Sequence, residues 1–159
     1  MEKKIILSPS LMCGDLANLE GSIQELESIG MDSLHIDVID GSFSPSMPLG
    51  IETIKRIREI TSMNFDVHIM AKDNEFFIGE MLKIGVESIT FHYETSLHID
   101  RYIQLIKNSG TKVGIAFNMP LVIEVQTMYE EVLLYVKNYQ GHLTNGLLLL
   151  TDMGSLNTF

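Results

Sequence analysis

Two short apolar stretches each carry a histidine and an aspartate at alternate positions, a pattern that could support metal or acid-base chemistry. The first, HIDVIDG, contains His35 and Asp37, and the second, FDVHIM, contains Asp66 and His68. Alternate residues of a β-strand point to the same side, so each pair faces one way and the intervening apolar residues face the other. A charge on so apolar a strand is costly unless it is paired, hydrogen-bonded or bound to a metal. Imidazole and carboxylate groups are ligands that a borderline divalent ion accepts.

A structural role competes with this interpretation. A single histidine on a strand is more often a hydrogen-bonded core residue than a ligand. The repetition of the pattern, H-x-D in one predicted strand and D-x-H in the next, favours chemistry. The spacing alone leaves both roles open.

Composition limits the classes of partner. The chain has 159 residues, of which 45% are hydrophobic and 20% charged, and this balance predicts a folded domain with its own core. A net charge of -10 disfavours nucleic acid, because phosphates require lysine and arginine partners. The single cysteine, Cys13, rules out an intrachain disulfide and fits a reducing cytoplasm. Since no stretch resembles a signal peptide or a membrane span, we expect a cytoplasmic protein with no membrane partner.

Strand and helix patterns alternate along the chain and must position the polar residues. The predicted strands cover residues 5–7, 33–37, 65–69, 88–92 and 112–117, with a sixth at 132–136. The predicted helices run from an Asp15 cap to Leu26, over 51–60, over 75–84 after an Asn74 cap, over 99–107, and from Pro120 to Met128. Strands joined by single helices are most simply parallel. A doubly wound sheet and an eight-stranded barrel both satisfy this order, and both place their sites at the carboxyl ends of the strands.

Five separated motifs resemble the ribulose-phosphate 3-epimerases, a family that includes the allulose-6-phosphate 3-epimerases. The motifs are SPSLMCGDL, HIDVIDGSFSPS, DVHIM, FHYET and KVGIAFN. The resemblance implies an α/β fold of the ribulose-phosphate-binding (β/α)8 TIM barrel type, incomplete here with about five to six βα units. We expect residues 1–130 to form a partial barrel domain and residues 131–159 to form a divergent tail of the same domain.

The resemblance also implies roles for individual residues. His35, Asp37 and His68 are similar to three of the four ligands of one catalytic divalent cation per subunit (zinc, iron, manganese or cobalt). Asp37 resembles one of the two acid-base carboxylates of the family. Ser8, His68 and Met70 are similar to residues that contact the substrate.

The activity that the resemblance implies is epimerisation at carbon 3 of a ketose phosphate. D-Ribulose 5-phosphate would be converted to D-xylulose 5-phosphate, or a related hexulose 6-phosphate would react, by proton abstraction and an enediolate intermediate. The expected partner is a small sugar phosphate, and assembly into a homo-oligomer is left open. An aldolase-like or decarboxylase-like barrel is disfavoured, because no lysine accompanies the histidines and aspartates at the strand ends.

The end of the chain departs from the family pattern. KNYQGHLTNGLLLLTDMGSLNTF does not resemble the family's strand-seven aspartate or its phosphate-binding loops, so no role is carried over to Asp152. We expect a truncated or divergent end. The alternative function is that of a catalytically inactive barrel remnant that binds metal or a partner subunit.

Three further polar residues are not assigned a catalytic role. Asp66 is expected to be a buried hydrogen-bonding residue. For His92 and Glu94, in FHYET, a structural role and substrate contact are equally compatible with the sequence.

Overall fold

The computed structural model describes residues 6–118 and 147–151. The strands are β1 (Ser33–Ile39), β2 (Asn64–Met70), β3 (Ser88–His92), β4 (Lys112–Asn118) and β5 (Leu147–Thr151). The α-helices within the described ranges are α1 (Leu19–Ser28), α2 (Ile51–Ile60), α3 (Asn74–Ile84) and α4 (Ile99–Asn108). Two single-turn 3-10 helices lie at Leu11–Cys13 and Tyr93–Thr95.

The five strands form one parallel sheet in which each strand lies next to its neighbour in sequence, in the order β1-β2-β3-β4-β5. A doubly wound sheet reverses its strand order at a switch point, and no reversal occurs among the described strands. The described residues therefore form part of a (β/α)8 barrel, as expected from the sequence. None of their helices is both long and apolar enough to cross a lipid bilayer.

The apolar core lies between the outer face of the sheet and the helices. Ile36, Val67 and Ile89 on the strands are fully buried, and they share this core with Ile54 of α2 and Ile106 of α4. Burying each such side chain contributes about 1.5–3 kcal/mol. Since this face is apolar, the alternate residues on the opposite face are free to carry polar groups into the barrel interior.

Local hydrogen bonding sets the helix starts. The predicted cap of α1 at Asp15 is wrong: Asn18 caps the helix by accepting a hydrogen bond from the backbone N–H of Gly21 (3.3 Å), whereas Asp15 accepts one from Ala17 (2.9 Å) and closes a turn. The predicted Asn74 cap of α3 is also wrong. Asp73 accepts a hydrogen bond from the N–H of Phe76 (3.1 Å).

The segment before α1 runs beside β1 without forming a regular strand. Ile5 lies outside the described residues, and the carbonyls of Leu7 and Pro9 accept hydrogen bonds from the N–H groups of Ser33 (3.3 Å) and His35 (2.9 Å). This alignment continues in a parallel bridge between Ser10 and His35, so the segment delivers Ser10 to the polar face of β1.

Two predicted elements, the helix from Pro120 to Met128 and the strand at 132–136, lie outside the described residues. Strand β5 was not predicted. It pairs in parallel with β4, with Gly114 opposite Leu147 and Asn118 opposite Thr151.

Candidate metal centre

The register between β1 and β2 brings the two sequence motifs side by side. His35 lies opposite Asp66, and Asp37 lies opposite His68. All four side chains therefore project from the same face of the sheet, into the barrel interior. The diagonal arrangement of the two histidines follows directly from the inverted order of the motifs, H-x-D and D-x-H.

Three of these side chains converge on one point. The Oδ1 atom of Asp37 lies 3.3 Å from Nε2 of His35 and 3.7 Å from Nδ1 of His68. One ligand atom from each residue lies within 4.8 Å of the other two. Asp37 and His68 are almost fully buried, with 6% and 4% of their surfaces exposed. Two imidazole nitrogens and a carboxylate oxygen at this spacing are a donor set that fits zinc or a similar divalent cation.

Hydrogen bonds keep the Asp37 carboxylate charged. Burial alone would raise its pKa, but hydrogen bonds with His35, His68 and Ser10 hold the pKa of Asp37 well below its usual range. The Ser10 hydroxyl donates to Oδ2 of Asp37 at 2.6 Å. The carboxylate is therefore available both as a ligand and as a proton acceptor.

His35 is hydrogen-bonded to Asp66 through Nδ1, the ring nitrogen that faces away from Asp37. The distance from Nδ1 of His35 to Oδ2 of Asp66 is 2.9 Å, and the Ser88 hydroxyl donates to Oδ1 of Asp66 at 2.6 Å. Burial alone would lower the pKa of His35, but the hydrogen bonds with Asp37 and Asp66 raise it to about 9. Asp66 thus has the hydrogen-bonding role expected for it, although it is partly exposed and not buried as predicted, and it directs Nε2 of His35 towards Asp37.

The second imidazole is held by a pair of residues from β3 and the turn that follows it. Nε2 of His68 lies 2.9 Å from Nε2 of His92, and Nδ1 of His92 lies 3.3 Å from Oε2 of Glu94. His92 is fully buried, and the ring of Phe43 covers it at a centroid distance of 4.5 Å. Burial lowers the pKa of His68, which favours the neutral ring that a metal requires.

The two serines near the chain start occupy different levels of the barrel interior. Ser10 hydrogen-bonds Asp37, whereas Ser8 lines a cavity of about 830 Å³ together with the first residues of β1, β2 and β4. The Ser8 hydroxyl is buried and has no hydrogen-bond partner. The structure does not bring Ser8 to the metal ligands, so its substrate contact stays a prediction, and Ser10 occupies the position beside Asp37.

Met70 lies one level above His68 on the same strand, and it is 4% exposed. Ile39 of β1 lies opposite it in the sheet. Together they form an apolar wall on the carboxyl side of the metal ligands. Contact between Met70 and a substrate stays a prediction.

Sequence reasoning missed Ser10 as a site residue, and for His92 and Glu94 it left a structural role and substrate contact both open. Ser10 follows Ser8 by two positions, so alternation places both on one side, and the one nearer the carboxyl end reaches the site. His92 and Glu94 carried the signal H-x-E at the end of a predicted strand, but the register that brings His92 to His68 was not evident from the sequence.

Comparison with known proteins identifies relatives of this chain. Residues 6–137 match the ribulose-phosphate 3 epimerase family. The chain is 35% identical over 121 residues to the ribulose-phosphate 3-epimerase of Bacillus subtilis, an alignment that covers 76% of this chain and 56% of that protein. The enzymes of the same name from Buchnera aphidicola (37% over 116 residues, 72% of this chain and 51% of that protein) and Escherichia coli K12 (34% over 117 residues, 73% and 52%) are similar as well. The chain spans about half the length of these relatives.

Proposed function

Because this chain belongs to the ribulose-phosphate 3-epimerase family, we propose that it binds one divalent cation and acts in proton transfer at carbon 3 of a ketose phosphate. His35, Asp37 and His68 would hold the cation. The observation that carries this proposal is that one ligand atom from each of the three lies within 4.8 Å of the others. D-Ribulose 5-phosphate is the proposed substrate, with a related hexulose 6-phosphate as the variant within the same class.

A bound divalent cation would supply positive charge to stabilise the negative charge that develops on the substrate oxygens. Asp37 accepts the carbon-3 proton in this proposal. Its Oδ2 receives the Ser10 hydroxyl and its Oδ1 faces both imidazoles, so the carboxylate is oriented before the substrate arrives. Met70 and Ile39, both nearly buried, form the apolar wall on the side of this carboxylate towards the carboxyl ends of the strands.

Inversion at carbon 3 requires a second acid on the other face of the substrate. Within residues 6–118, the other two carboxylates near the metal ligands, Asp66 and Glu94, are each bonded to a histidine. Neither is positioned as the second acid. The lack of a positioned second acid among these residues favours a second candidate function, a barrel portion that binds metal or a partner subunit without turnover.

Metal content tests the ligand set. The purified chain and its His35→Ala variant are loaded with Zn²⁺, desalted, and measured for zinc by atomic emission. We expect about one zinc per native chain and a large loss in the variant. His98→Ala is the matched control, since His98 is exposed and its side chain caps no backbone group. Equal zinc in His35→Ala and the native chain would contradict the proposed site.

Proton exchange tests the chemistry. The zinc-loaded chain is incubated with D-ribulose 5-phosphate in D2O, and NMR follows both deuterium at carbon 3 and the formation of D-xylulose 5-phosphate. Exchange without epimerisation would indicate that Asp37 works as the only acid, whereas both together would indicate a complete site. Asp37→Asn should abolish either signal. Retention of zinc with no exchange would favour the non-catalytic candidate.

The single cysteine fits a reducing compartment, so a cytoplasmic location is part of the proposal.

A further inference from the structure

The cavity of about 830 Å³ that Ser8 lines lies on the amino side of the barrel interior, at the starts of the strands. Its volume is within the range of small-molecule pockets, about 300–1,000 Å³. His35, Asp37 and His68 are not among the described residues that line it. The cavity is therefore distinct from the candidate metal centre, and what it binds does not depend on the proposed function.

The strand positions that face this cavity are hydrophilic. Alternation from His35, His68 and His92 gives the inward positions of β1, β2 and β3, and the register extends them to β4. A (β/α)8 barrel normally fills its interior with bulky branched side chains such as valine, isoleucine and leucine. The inward positions that line this cavity instead carry polar side chains, except for Gly114, and they are Ser33, Asn64, Asp66, Ser88, Thr90 and Lys112.

Apolar residues also line the cavity, but from a different part of the fold. Leu82 and Val86 belong to the end of α3 and its connection to β3. They do not occupy inward positions of the sheet. The amino-side interior of the described barrel is therefore a polar space with an apolar border, which is the composition of a ligand site more than of a packed core.

One of the lining hydroxyls lacks a partner. Oγ of Ser8 is buried, and no hydrogen bond within the described part of the chain satisfies it. A buried polar group without a partner destabilises the fold, and each such group in a folded protein needs an explanation. A ligand hydroxyl inside the cavity would supply the missing partner.

The lining also selects the chemical class of the ligand. Two carboxylates, Asp66 and Glu87, and one lysine, Lys112, are among the described lining residues, and this balance disfavours an anion such as a sugar phosphate. The side chain of Asp66 is 27% exposed, and its oxygens can accept further hydrogen bonds besides those from His35 and Ser88. Hydroxyl groups both donate and accept, so they match a lining of serine, threonine and carboxylate groups.

We propose that this cavity binds a neutral polyhydroxylated small molecule, of about the size of a five-carbon polyol, at a site separate from the metal centre. Hydroxyls of the ligand bond to Ser8, Thr90 and Asp66. An apolar ligand would leave these groups unpaired, and an anion would be repelled by the carboxylates. The site opens at the amino ends of the strands, whereas the metal ligands lie towards their carboxyl ends.

Xylitol is the probe, added to the 15N-labelled chain in EDTA so that no cation occupies the metal ligands. We expect saturable 1H–15N shifts at the amides of Ser33, Ser88 and Gly114, with a Kd on the order of 1–10 mM, and none at Ile39 and Met70. 1,5-Pentanediol has the same carbon chain without the three inner hydroxyls, and it should bind at least about tenfold more weakly.

The proposal is overturned if xylitol gives no saturable shift at the cavity, or if the diol binds equally well. Saturable shifts at the same amides with inorganic phosphate and not with xylitol would identify an anion site and would also overturn it. Loss or retention of zinc in His35→Ala decides the metal site alone, because the present titration is made without metal.

Two variants test the assigned contacts. Thr90→Val retains the branched shape and removes the hydroxyl, and Ser8→Ala removes the unpaired hydroxyl. Each should weaken xylitol binding about fivefold or more. Thr53→Val, on α2 outside the sheet, is the matched control and should bind xylitol as the native chain does. Native affinity in either cavity variant would contradict the assigned contacts.

Urea unfolding without xylitol separates ligand binding from a structural role of Ser8. We expect the midpoint of Ser8→Ala to equal or exceed that of the native chain, because the substitution removes a buried group that has no partner. A lower midpoint would show that the hydroxyl is satisfied within the ligand-free chain, and it would count against the proposal.

Discussion

Nδ1 of His35 lies 2.9 Å from Oδ2 of Asp66, its cross-strand neighbour in the parallel register. This bond leaves Nε2 of His35 directed at Asp37. His68 is oriented the other way round, since its Nε2 is bonded and its Nδ1 faces Asp37. Each imidazole is therefore fixed through one nitrogen and presents the other. The inverted order of the two sequence motifs places the two histidines at different levels of the sheet. Each therefore has a different neighbour, Asp66 for His35 and His92 for His68.

Replacing Asp66 by Asn should weaken metal binding about 10–100-fold, since a partner that orients a ligating histidine contributes that much. The asparagine can present its NH2 group to Nδ1 of His35 and so favour the wrong tautomer. Zinc competition titration measures the change. Ser88→Ala is the matched control, because it removes only the hydroxyl that donates to Oδ1 of Asp66 and should have a smaller effect. Equal affinities in Asp66→Asn and the native chain would show that Asp66 has no orienting role.

The stability of the metal-free chain should decrease as the pH rises above neutrality. Folding raises the pKa of His35 from its ordinary value of 6.5 to about 9 through hydrogen bonds with Asp37 and Asp66. A raised folded-state pKa contributes stability that is complete below pH 6.5 and is lost as the pH rises through about 9. Urea unfolding in EDTA at several pH values from 6 to 10 measures this.

The control for this pH dependence is His35→Gln, which has no titrating ring at the position. Other groups titrate over the same interval in both proteins, so the difference between the two free energies of unfolding isolates His35. We expect that difference to shrink as the pH rises. A constant difference from pH 6 to 10 would mean that the protonated ring contributes nothing to folding.

Removing the Ser10 hydroxyl should impair the proton transfer proposed for Asp37, whereas removing the Ser8 hydroxyl should not. Ser10 donates to the charged carboxylate at 2.6 Å, and a hydrogen bond to a charged group contributes about 1.5–3 kcal/mol. We expect Ser10→Ala to slow carbon-3 exchange by about tenfold or more, measured by NMR in D2O with the zinc-loaded chain. Ser8→Ala is the matched control within the same segment. If Ser8→Ala shows the larger loss, the serine that contacts the substrate is the one the sequence predicted.

The sequence predicts correctly those helices and strands whose apolar periodicity and flanking residues are both clear within the segment itself. Helix α2 and strand β3 lie at their predicted bounds, because each has a clear apolar period between polar or turn-forming flanks. The start of α1 was misplaced since both Asp15 and Asn18 can cap a helix, and only the folded chain determines which side chain meets the free N–H groups.

The residues of the candidate site also fall into those that the sequence predicts and those that only the fold brings together. Alternation along one strand predicts that His35 and Asp37 share a face, and the same holds for Ser8 and Ser10. Alternation does not give the level at which neighbouring strands meet. In the structure Thr90 of β3 lies opposite His68, so His92 is one level higher and contacts His68 diagonally. Such a contact depends on the strand register, which is set by packing across the whole sheet.

The loop after β1 should depend on the Asp40 carboxylate. Asp40 accepts hydrogen bonds from the N–H groups of Ser42 (2.8 Å), Phe43 (2.9 Å) and Lys72 (2.9 Å), and the turn includes Gly41 at a φ of +75°. These bonds tie the loop to the end of β2 and hold Phe43 over His92. Asparagine cannot accept all of them, because its NH2 group would face a donor.

We therefore expect Asp40→Asn to lower the free energy of unfolding by about 1–3 kcal/mol, as measured by urea denaturation at pH 7. Asp15→Asn is the control, since Asp15 is exposed and, within the described part of the chain, its carboxylate accepts from Ala17 alone. Such a surface change should stay within about 0.5 kcal/mol. Burial alone would raise the pKa of Asp40, but the hydrogen bonds from Lys72, Phe43 and Ser42 lower it below its ordinary value of 3.8. Its contribution is thus present above pH 3.8 and is lost as the pH falls towards the folded-state pKa, so the gap between the native chain and Asp40→Asn should narrow in acid. A gap that widens between pH 5 and pH 3 would contradict this account of the loop.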